Sequence, residues 1–118
     1  MKTFTLLCNQ NPIQIIESFQ KNQHYELRLR NPLFEIGSMK FTTGKQCHID
    51  ILKLFPAYRN QNIGSCFYSF IEQHYFSKCE SIYLEADSDD SMRFWKKQGF
   101  RVDYFEEEMK HYLMEKIK

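Results

Sequence analysis

The chain has 118 residues, 42% of them hydrophobic and 26% charged, which is the composition of one folded domain and excludes a disordered chain. Sixteen Lys and Arg against fifteen Asp and Glu give a net charge of +1, without the concentrated basic excess of nucleic-acid-binding or membrane-surface proteins. We therefore expect a single soluble domain with one functional site and no nucleic-acid or membrane partner.

Four cysteines are scattered through the chain, with no Cys-x-x-Cys pair and no histidines at zinc-ligand spacing. They are Cys8, Cys47, Cys66 and Cys79. We expect free thiols and no metal site. The first residues do not resemble a secretory signal, and no apolar stretch approaches the ~18–20 residues that a membrane helix needs. These features predict a cytoplasmic protein.

The N-terminal half mixes strand and helix signals. The first segment, from Thr3 to Cys8, is a short strand candidate. Asn11 and Pro12 then predict a helix, with asparagine as the N-cap and proline at the first helical position, and an isoleucine-rich stripe extends it to about Asn22. Three strand candidates follow, and we expect them to form an antiparallel meander. They run from Tyr25 to Arg30, from Leu33 to Thr42 and from Cys47 to Phe55.

The second half changes to helical periodicity after Pro56. Apolar residues recur at three- and four-residue spacing from Ile63 to His74 and predict an amphipathic helix. A strand from Ser81 to Ala86 comes next. A second helix follows, for which the sequence supplies an N-cap, acidic residues in the first turn, lysines in the last turn and a glycine at the C′ position. These residues are Ser88 or Asp89, Asp90, Lys96, Lys97 and Gly99.

A closing hairpin is predicted from residues 100–105 and 110–117, with Glu106-Glu107-Glu108 as its turn. The glutamates are interpreted as a solvated turn, although an acidic lip that attracts a polyamine or a basic peptide is an alternative. The predicted order of elements is β-α-β-β-β-α-β-α-β-β. It indicates an α/β fold on a mostly antiparallel sheet, with about seven strands and about three helices.

The most informative segment is the strand that ends at Pro56 and turns through Arg59 and Gly64 into a helix. A loop that opens a helix directs backbone N–H groups and the positive end of the helix dipole at one point, which suits a phosphate or pyrophosphate. Arg59 adds a planar cation, and Gly64 would let an anion approach closely. Neither Gly-x-Gly-x-x-Gly nor Gly-x-x-x-x-Gly-Lys-Ser/Thr occurs. An ordinary helix start remains the alternative.

Two motifs resemble one known family. Arg59-Asn-Gln-Asn62-Ile-Gly64-Ser65 is similar to the Arg/Gln-x-x-Gly-x-Gly/Ala signature of the GNAT superfamily of N-acetyltransferases. Ser88-Asp-Asp-Ser91-Met-Arg-Phe-Trp95-Lys-Lys-Gln-Gly99-Phe100 is similar to the later helix of that family, Asn-x-x-Ala-x-x-x-Tyr-x-x-x-Gly-Phe. The resemblance covers about residues 47–118 well, and the first 46 residues by topology alone.

The resemblance implies that acetyl-CoA binds as a cosubstrate, without a metal, where two neighbouring parallel strands separate. Leu52 and Leu54 would pair with the pantetheine arm, and the Leu54 N–H would donate to the oxyanion. The amides of Gln61, Asn62, Ile63, Gly64 and Ser65, with Arg59, would hold the pyrophosphate. Ser88 and Trp95 would complete the cofactor site. An amine would then attack the thioester directly in a ternary complex.

Three departures from the family pattern affect this expectation. Asn62 replaces the first motif glycine, and asparagine tolerates left-handed backbone geometry. Trp95 stands where many relatives carry a tyrosine that protonates the thiolate, and an indole N–H is not a useful acid. Water, Ser88 or Tyr104 would supply that proton instead. One short N-terminal helix replaces the usual two, so we expect an acceptor site that is open or is completed by a second subunit of a homodimer.

Four residues are candidates for the general base. His48 and Asp50 alternate onto one face of the strand that enters the motif, and Glu35 and Glu85 lie on neighbouring strands. Solvated structural roles for these side chains, with water as the base, are the alternative. The leading hypothesis is transfer of an acetyl group from acetyl-CoA to a primary amine of a small molecule or peptide. The alternative is a non-catalytic acyl-CoA-binding or regulatory module with the same fold.

Overall fold

Eight strands form one sheet in the computed structural model, which describes residues 2–118. The strands are β1 (Thr3–Cys8), β2 (Asn11–Lys21), β3 (His24–Arg30), β4 (Glu35–Thr42), β5 (Gln46–Leu54), β6 (Ser81–Ala86), β7 (Arg101–Glu106) and β8 (His111–Ile117). The helices are α1 (Ile63–Tyr75) and α2 (Asp89–Lys97), and a 3-10 turn spans Pro56–Tyr58. The strand order is β1-β2-β3-β4-β5-β6-β8-β7. Of these neighbours, β5 and β6 are parallel and the others antiparallel.

The predicted N-terminal helix is wrong, because Asn11–Lys21 is strand β2. Asn9 and Gln10 adopt left-handed φ angles of 52° and 67° and form a two-residue hairpin turn, so that Cys8 pairs directly with Asn11. Ile13 and Ile15 alternate with exposed neighbours and are buried. This period of two, together with β-branched side chains that favour strands, outweighs the Asn-Pro helix signal. The domain therefore has eight strands and two helices in residues 2–118, instead of about seven and three.

The hydrophobic core lies on one face of the sheet, which we call the core face. Strand residues such as Leu27, Phe41 and Leu84 are buried there. Both helices pack on this face and touch each other, since the Tyr68 ring of α1 meets the Trp95 ring of α2 edge-on at 5.1 Å between centroids. The opposite face, here called the open face, carries alternating polar side chains and neither helix.

The remaining predicted elements are confirmed with small shifts of their ends. The meander strand predicted from Leu33 begins at Glu35, and the strand predicted to reach Phe55 ends at Leu54. In α2, the Ser91 N–H donates to the Ser88 hydroxyl oxygen at 3.1 Å, as predicted for an N-cap. Gly99 has φ = 98°, the left-handed conformation expected after a helix end.

Neither α1 nor α2 is long and apolar enough to span a bilayer, and the same holds for every helical segment in residues 2–118.

Strands β5 and β6 separate before they end, which creates a gap in the sheet. Their parallel pairing runs only from Gln46 opposite Ser81 to Ile49 opposite Leu84. Strand β5 then continues to Leu54, beside β4 alone. On the β4 side the register shifts at this point, leaving Asp50 as an extra residue between two paired ones. The bulge bends β5 away from β6 where the pairing stops.

Candidate active site

The edge of β5 that faces the gap offers backbone donors. The Phe55 N–H donates to the Ile36 carbonyl of β4 at 2.9 Å. Because successive N–H groups of a strand point to opposite edges, those of Leu54 and Leu52 point away from β4 and into the gap. The Leu54 carbonyl accepts a hydrogen bond from Arg59 Nε at 3.0 Å. Two backbone N–H groups therefore line the gap next to a fixed guanidinium.

The loop between β5 and α1 is held by polar contacts on both sides. Gln61 Nε2 donates to the Ala57 carbonyl at 2.7 Å, and Asn9 Nδ2 of the β1–β2 turn donates to the Gln61 carbonyl at 2.7 Å. Asn60 and Asn62 have left-handed φ angles of 60° and 63°. Asparagine occupies this conformation more readily than most residues, so the sequence supports the sharp turn into the helix.

The N-terminus of α1 is open to an anion. Asn62 is its N-cap and makes no side-chain capping hydrogen bond. The first backbone hydrogen bond of the helix runs from the Cys66 N–H to the Asn62 carbonyl, at 3.1 Å. The N–H groups of Ile63, Gly64 and Ser65 precede it and have no acceptor within an α-helix. This is the arrangement that binds phosphate groups at helix N-termini.

Gly64 allows three elements to meet at this N-terminus. It is buried, and a Cβ atom at this position would lie 3.0 Å from Cε1 of Phe94 and 3.4 Å from Cδ1 of Leu54. Nε2 of Gln98, the C-cap of α2, also donates to the Ser65 hydroxyl oxygen at 2.8 Å. The glycine therefore serves close packing of α1 against α2 and β5, in addition to the anion approach expected from the sequence.

The three other predicted side chains lie in different environments. Trp95 is buried, and its ring packs against Tyr68 and Phe100, so its visible role is in the core. Ser88 is exposed beyond the carboxyl end of β6, with its hydroxyl engaged in capping α2. Tyr104 is 57% exposed on the edge strand β7. It pairs with Leu113, which in turn pairs with Glu85.

Two histidine–carboxylate pairs lie on the open face beside the gap. His48 Nδ1 is 2.7 Å from Asp50 Oδ1, which confirms that these residues share one face, and the His48 ring stacks on Tyr83 at 4.5 Å. His111 Nδ1 is 3.1 Å from Glu85 Oε2. Because Ile49 pairs with Leu84, Asp50 and Glu85 are the next residues of adjacent strands, at the point where pairing stops. The structure thus brings two carboxylates to the mouth of the gap.

Glu35 has a different setting from the other candidate bases. Both of its carboxylate oxygens accept hydrogen bonds from Nη1 of Arg28, at 3.0 and 3.1 Å. It lies on β4, which is separated from the gap by β5. The ion pair and the position favour a structural role for Glu35.

The thiols are not arranged as nucleophiles or metal ligands. Burial raises the pKa of the Cys8 and Cys47 thiols to about 12, which keeps both protonated near neutrality. All four cysteines are free. Among residues 2–118, no three His, Cys, Asp or Glu side chains cluster as metal ligands do.

The sequence did not predict the hydrogen-bond partners that hold the site residues in place, because these partners are distant in sequence. Asn9 binds the loop carbonyl of Gln61, Gln98 binds Ser65, and His111 pairs with Glu85. These contacts join residues 52, 33 and 26 positions apart. Only Gln98 carried a local signal, since it lies inside the second motif.

Comparison with known proteins identifies the family. The model of the acetyltransferase (GNAT) family matches residues 18–100. No sequence among proteins of curated function matches the chain. Among solved structures, the fold is similar to that of PaiA N-acetyltransferase of Thermoplasma acidophilum in complex with coenzyme A, with 18% identity over 79% of this chain and 60% of that one, and a TM-score of 0.66. The chain thus spans less than two thirds of that relative.

Two further structures show the same fold. One is an Arabidopsis thaliana protein in complex with the bisubstrate analogue CoA-Ac-MVNAL, with 21% identity, 79% and 72% of the two chains covered and a TM-score of 0.66. The other is a GNAT family acetyltransferase of Elizabethkingia anophelis with acetyl-CoA bound, with 11% identity, 90% and 97% covered and a TM-score of 0.73. The family match and the gap between β5 and β6 agree: this chain belongs to the GNAT family of acetyltransferases.

Proposed function

We propose that this protein is an N-acetyltransferase that transfers an acetyl group from acetyl-CoA to a primary amine by direct attack in a ternary complex. One observation carries the proposal. The gap between β5 and β6 leads at one end to the uncapped N-terminus of α1 and opens, on the open face, beside Asp50 and Glu85. Donor and acceptor can therefore approach the same point from different sides.

The donor side is supported by backbone groups. Leu52 and Leu54 offer N–H groups to the pantetheine arm, as an added strand would use them. The amides of Ile63, Gly64 and Ser65, with the dipole of α1, suit the pyrophosphate. Arg59, already anchored on the Leu54 carbonyl, adds a positive charge beside the loop.

The transfer step needs a base, an oxyanion donor and an acid. Asp50 or Glu85, each paired with a histidine, accepts the proton that the acceptor ammonium must lose. The proton travels through water, because Asp50 lies four residues, roughly 13 Å along β5, from Leu54. The neutral nitrogen forms a bond to the thioester carbon, and the Leu54 N–H stabilises the charge on the carbonyl oxygen. The C–S bond then breaks, and the thiolate takes a proton from Ser88, Tyr104 or water.

The acceptor is an amine of a small molecule or a peptide. The Arabidopsis relative was solved with an analogue that joins CoA to a peptide, which supports the peptide class. No helix covers the open face within residues 2–118, so the acceptor site of one chain is broad. A second subunit would narrow it.

Steady-state acetylation tests this proposal. The purified protein is incubated with acetyl-CoA and a panel of polyamines, amino acids and peptides, and release of free thiol is followed. We expect Asp50→Asn or Glu85→Gln to lower kcat about 100-fold or more, because a general base contributes roughly that factor. The affinity for acetyl-CoA should not change. Asp103→Asn is the matched control. Asp103 is also a paired carboxylate, 3.6 Å from Arg101, but it lies on the edge strand β7 away from the gap, so kcat should not change.

The outcomes separate the hypotheses. Tight acetyl-CoA binding without acetylation of any amine would contradict the enzyme and favour a non-catalytic acyl-CoA-binding module. Wild-type rates in both carboxylate variants would show that neither Asp50 nor Glu85 is the base. Loss of the acidic limb of the pH–rate profile in one variant would assign the base to that residue.

A further inference from the structure

A cleft of about 640 Å³ lies beside the end of β5, across that strand from the gap. Its walls are the turn between β3 and β4 and the 3-10 turn at Pro56–Tyr58. Leu33, Phe34 and Phe55 line it and are 75%, 58% and 37% exposed, respectively. Three large apolar side chains are thus open to solvent next to Leu54, whose N–H faces the gap.

The apolar wall is rigid. Asn31 Oδ1 accepts hydrogen bonds from the N–H groups of Leu33 and Phe34 at 2.8 and 2.7 Å, and the Asn31 N–H donates to the Phe34 carbonyl at 2.9 Å. Asn31 Nδ2 also donates to the Tyr58 hydroxyl at 3.4 Å, which ties the two walls together. Apolar side chains that are exposed side by side mark binding surfaces more often than singly scattered ones do.

The charge of the cleft is positive. Arg30 lines it, is partly buried, and forms no ion pair or side-chain hydrogen bond within residues 2–118. Glu35 also lines it, but Arg28 neutralises its carboxylate. Lys53 stands at the edge, with Nζ 5.9 Å from the centroid of the Phe55 ring. A guanidinium without a partner, in a cleft that is also lined by Phe34 and Phe55, matches a carboxylate attached to an apolar group.

We propose that this cleft binds the far end of the acceptor, and that Arg30 makes the enzyme select amines that carry an apolar group followed by a carboxylate. This inference rests on the proposed function. Leu54, whose N–H is the proposed oxyanion donor, pairs with Gly37 of β4, and Gly37 pairs with Leu29, the neighbour of Arg30. The reacting amine beside Leu54 is thus two strand spacings, roughly 10 Å, from Arg30, and an extended peptide of about three residues covers that span. The acceptor class is therefore a short peptide with a free amine at one end and an apolar, anionic residue at the other.

Acetylation kinetics with two peptides test the proposal. The peptides are Ala-Ala-Phe with a free C-terminal carboxylate and the same peptide as its C-terminal amide. We expect the wild type to prefer the acid about 10-fold in kcat/KM, mainly through KM, because a bidentate hydrogen bond to a carboxylate is worth about that factor. Arg30→Gln should abolish this preference by lowering kcat/KM for the acid alone. Arg30→Lys, which keeps the positive charge, should retain part of the preference.

Matched variants separate the cleft from general effects. Lys40→Gln removes a positive charge from the same face, at a lysine that pairs with Glu26 outside the cleft. This variant should leave kcat/KM unchanged for both peptides. Phe34→Ser should raise KM for both peptides several-fold, whereas Met109→Ser, at a side chain that is 66% exposed on another turn, should not.

Contrary results are distinguishable from failure of the proposed function. Equal kcat/KM for acid and amide in the wild type, or an equal loss of both in Arg30→Gln, would overturn the cleft assignment while leaving the acetyltransferase intact. Acetylation of polyamines but not of either peptide would overturn it as well. If no amine is acetylated although acetyl-CoA binds, the proposed function fails, and the cleft assignment fails with it.

Discussion

Asn62 shapes the proposed donor site directly, at the point where the loop enters α1. Its left-handed φ of 63° turns the chain into α1, and its side chain does not cap the helix. The first free amides of α1 therefore remain available to an anion. An asparagine can meet this backbone requirement where a β-branched residue could not. At this position the side chain also stands next to the expected pyrophosphate.

Asn62→Asp should weaken acetyl-CoA binding about 10-fold or more, because the new carboxylate repels the phosphates at short range. Folding should be unaffected, since aspartate accepts the same backbone geometry and an anion at a helix N-terminus is favourable. Calorimetric titration measures the affinity for acetyl-CoA, and a melting curve measures the stability of the fold. Asn60→Asp is the control, with φ = 60° two residues earlier. An equal loss of affinity in both variants would contradict the assignment.

At the scale of elements, β5 is positioned by its neighbour β4 more than by β6. Gly37 of β4 pairs with Leu54, and a Cβ atom on Gly37 would lie 2.3 Å from the Lys53 carbonyl oxygen. Only glycine allows the two backbones to approach this closely. The position of the Leu54 N–H, and hence of the proposed oxyanion donor, follows from that contact.

Gly37→Ala should destabilise the protein by about 1–3 kcal/mol, the usual cost of overpacking, because the Lys53 carbonyl must move. The same shift displaces the end of β5, so acetyl-CoA affinity should fall too. Urea unfolding and calorimetry are the measurements. Ser38→Ala, the next residue on β4, is the control and should leave both values near wild type. A stable Gly37→Ala variant with normal affinity would contradict the close approach.

Across the whole molecule, one sheet has both helices on a single face, which leaves the other face open to the proposed acceptor. Among residues 2–118, Arg30 and Lys53 on its β3–β5 part form no salt bridge, whereas Arg28 and Lys40 there are each paired with a glutamate. Further acidic residues lie on β6, β7 and β8. A peptide with its amine beside the Leu54 end of β5 and its carboxylate near Arg30 fits this arrangement of charge. The core face has a second consequence for the whole molecule: its buried thiols make the free energy of unfolding depend on pH.

Stability should fall between pH 9 and pH 12. Burial raises the pKa of Cys8 and Cys47 from 9.0 to about 12, so the unfolded chain releases these protons first. Below pH 9 both states hold the protons, and the stabilisation is complete. We expect a constant urea midpoint from pH 7 to 8.5 and a falling midpoint above pH 9, under reducing conditions. Cys47→Ala should flatten the decline, whereas a midpoint that rises with pH would contradict the burial of these thiols.

The sequence predicted the part of the site that depends on local signals. The strand predicted from Cys47 to Phe55, the loop after Pro56 and the helix predicted from Ile63 to His74 followed from the proline, from Asn62 and from helical periodicity. The alternation of His48 and Asp50 predicted their shared face. Strand β2 was missed although its alternating, β-branched residues carry a local strand signal, because Asn11 and Pro12 also predict a helix start and only the hairpin with β1 decides between the two. The cleft was missed for a similar reason, since Asn31 and Tyr58 meet only after folding.

Amide chemical shifts on titration with acetyl-CoA test the central claim most directly. A two-dimensional ¹H–¹⁵N spectrum of the folded protein reports each backbone N–H separately. The account predicts the largest changes at Leu52 and Leu54 in the gap and at Ile63, Gly64 and Ser65 at the start of α1. Saturable shifts confined to other residues, or no shifts at millimolar acetyl-CoA, would contradict the gap between β5 and β6 as the donor site.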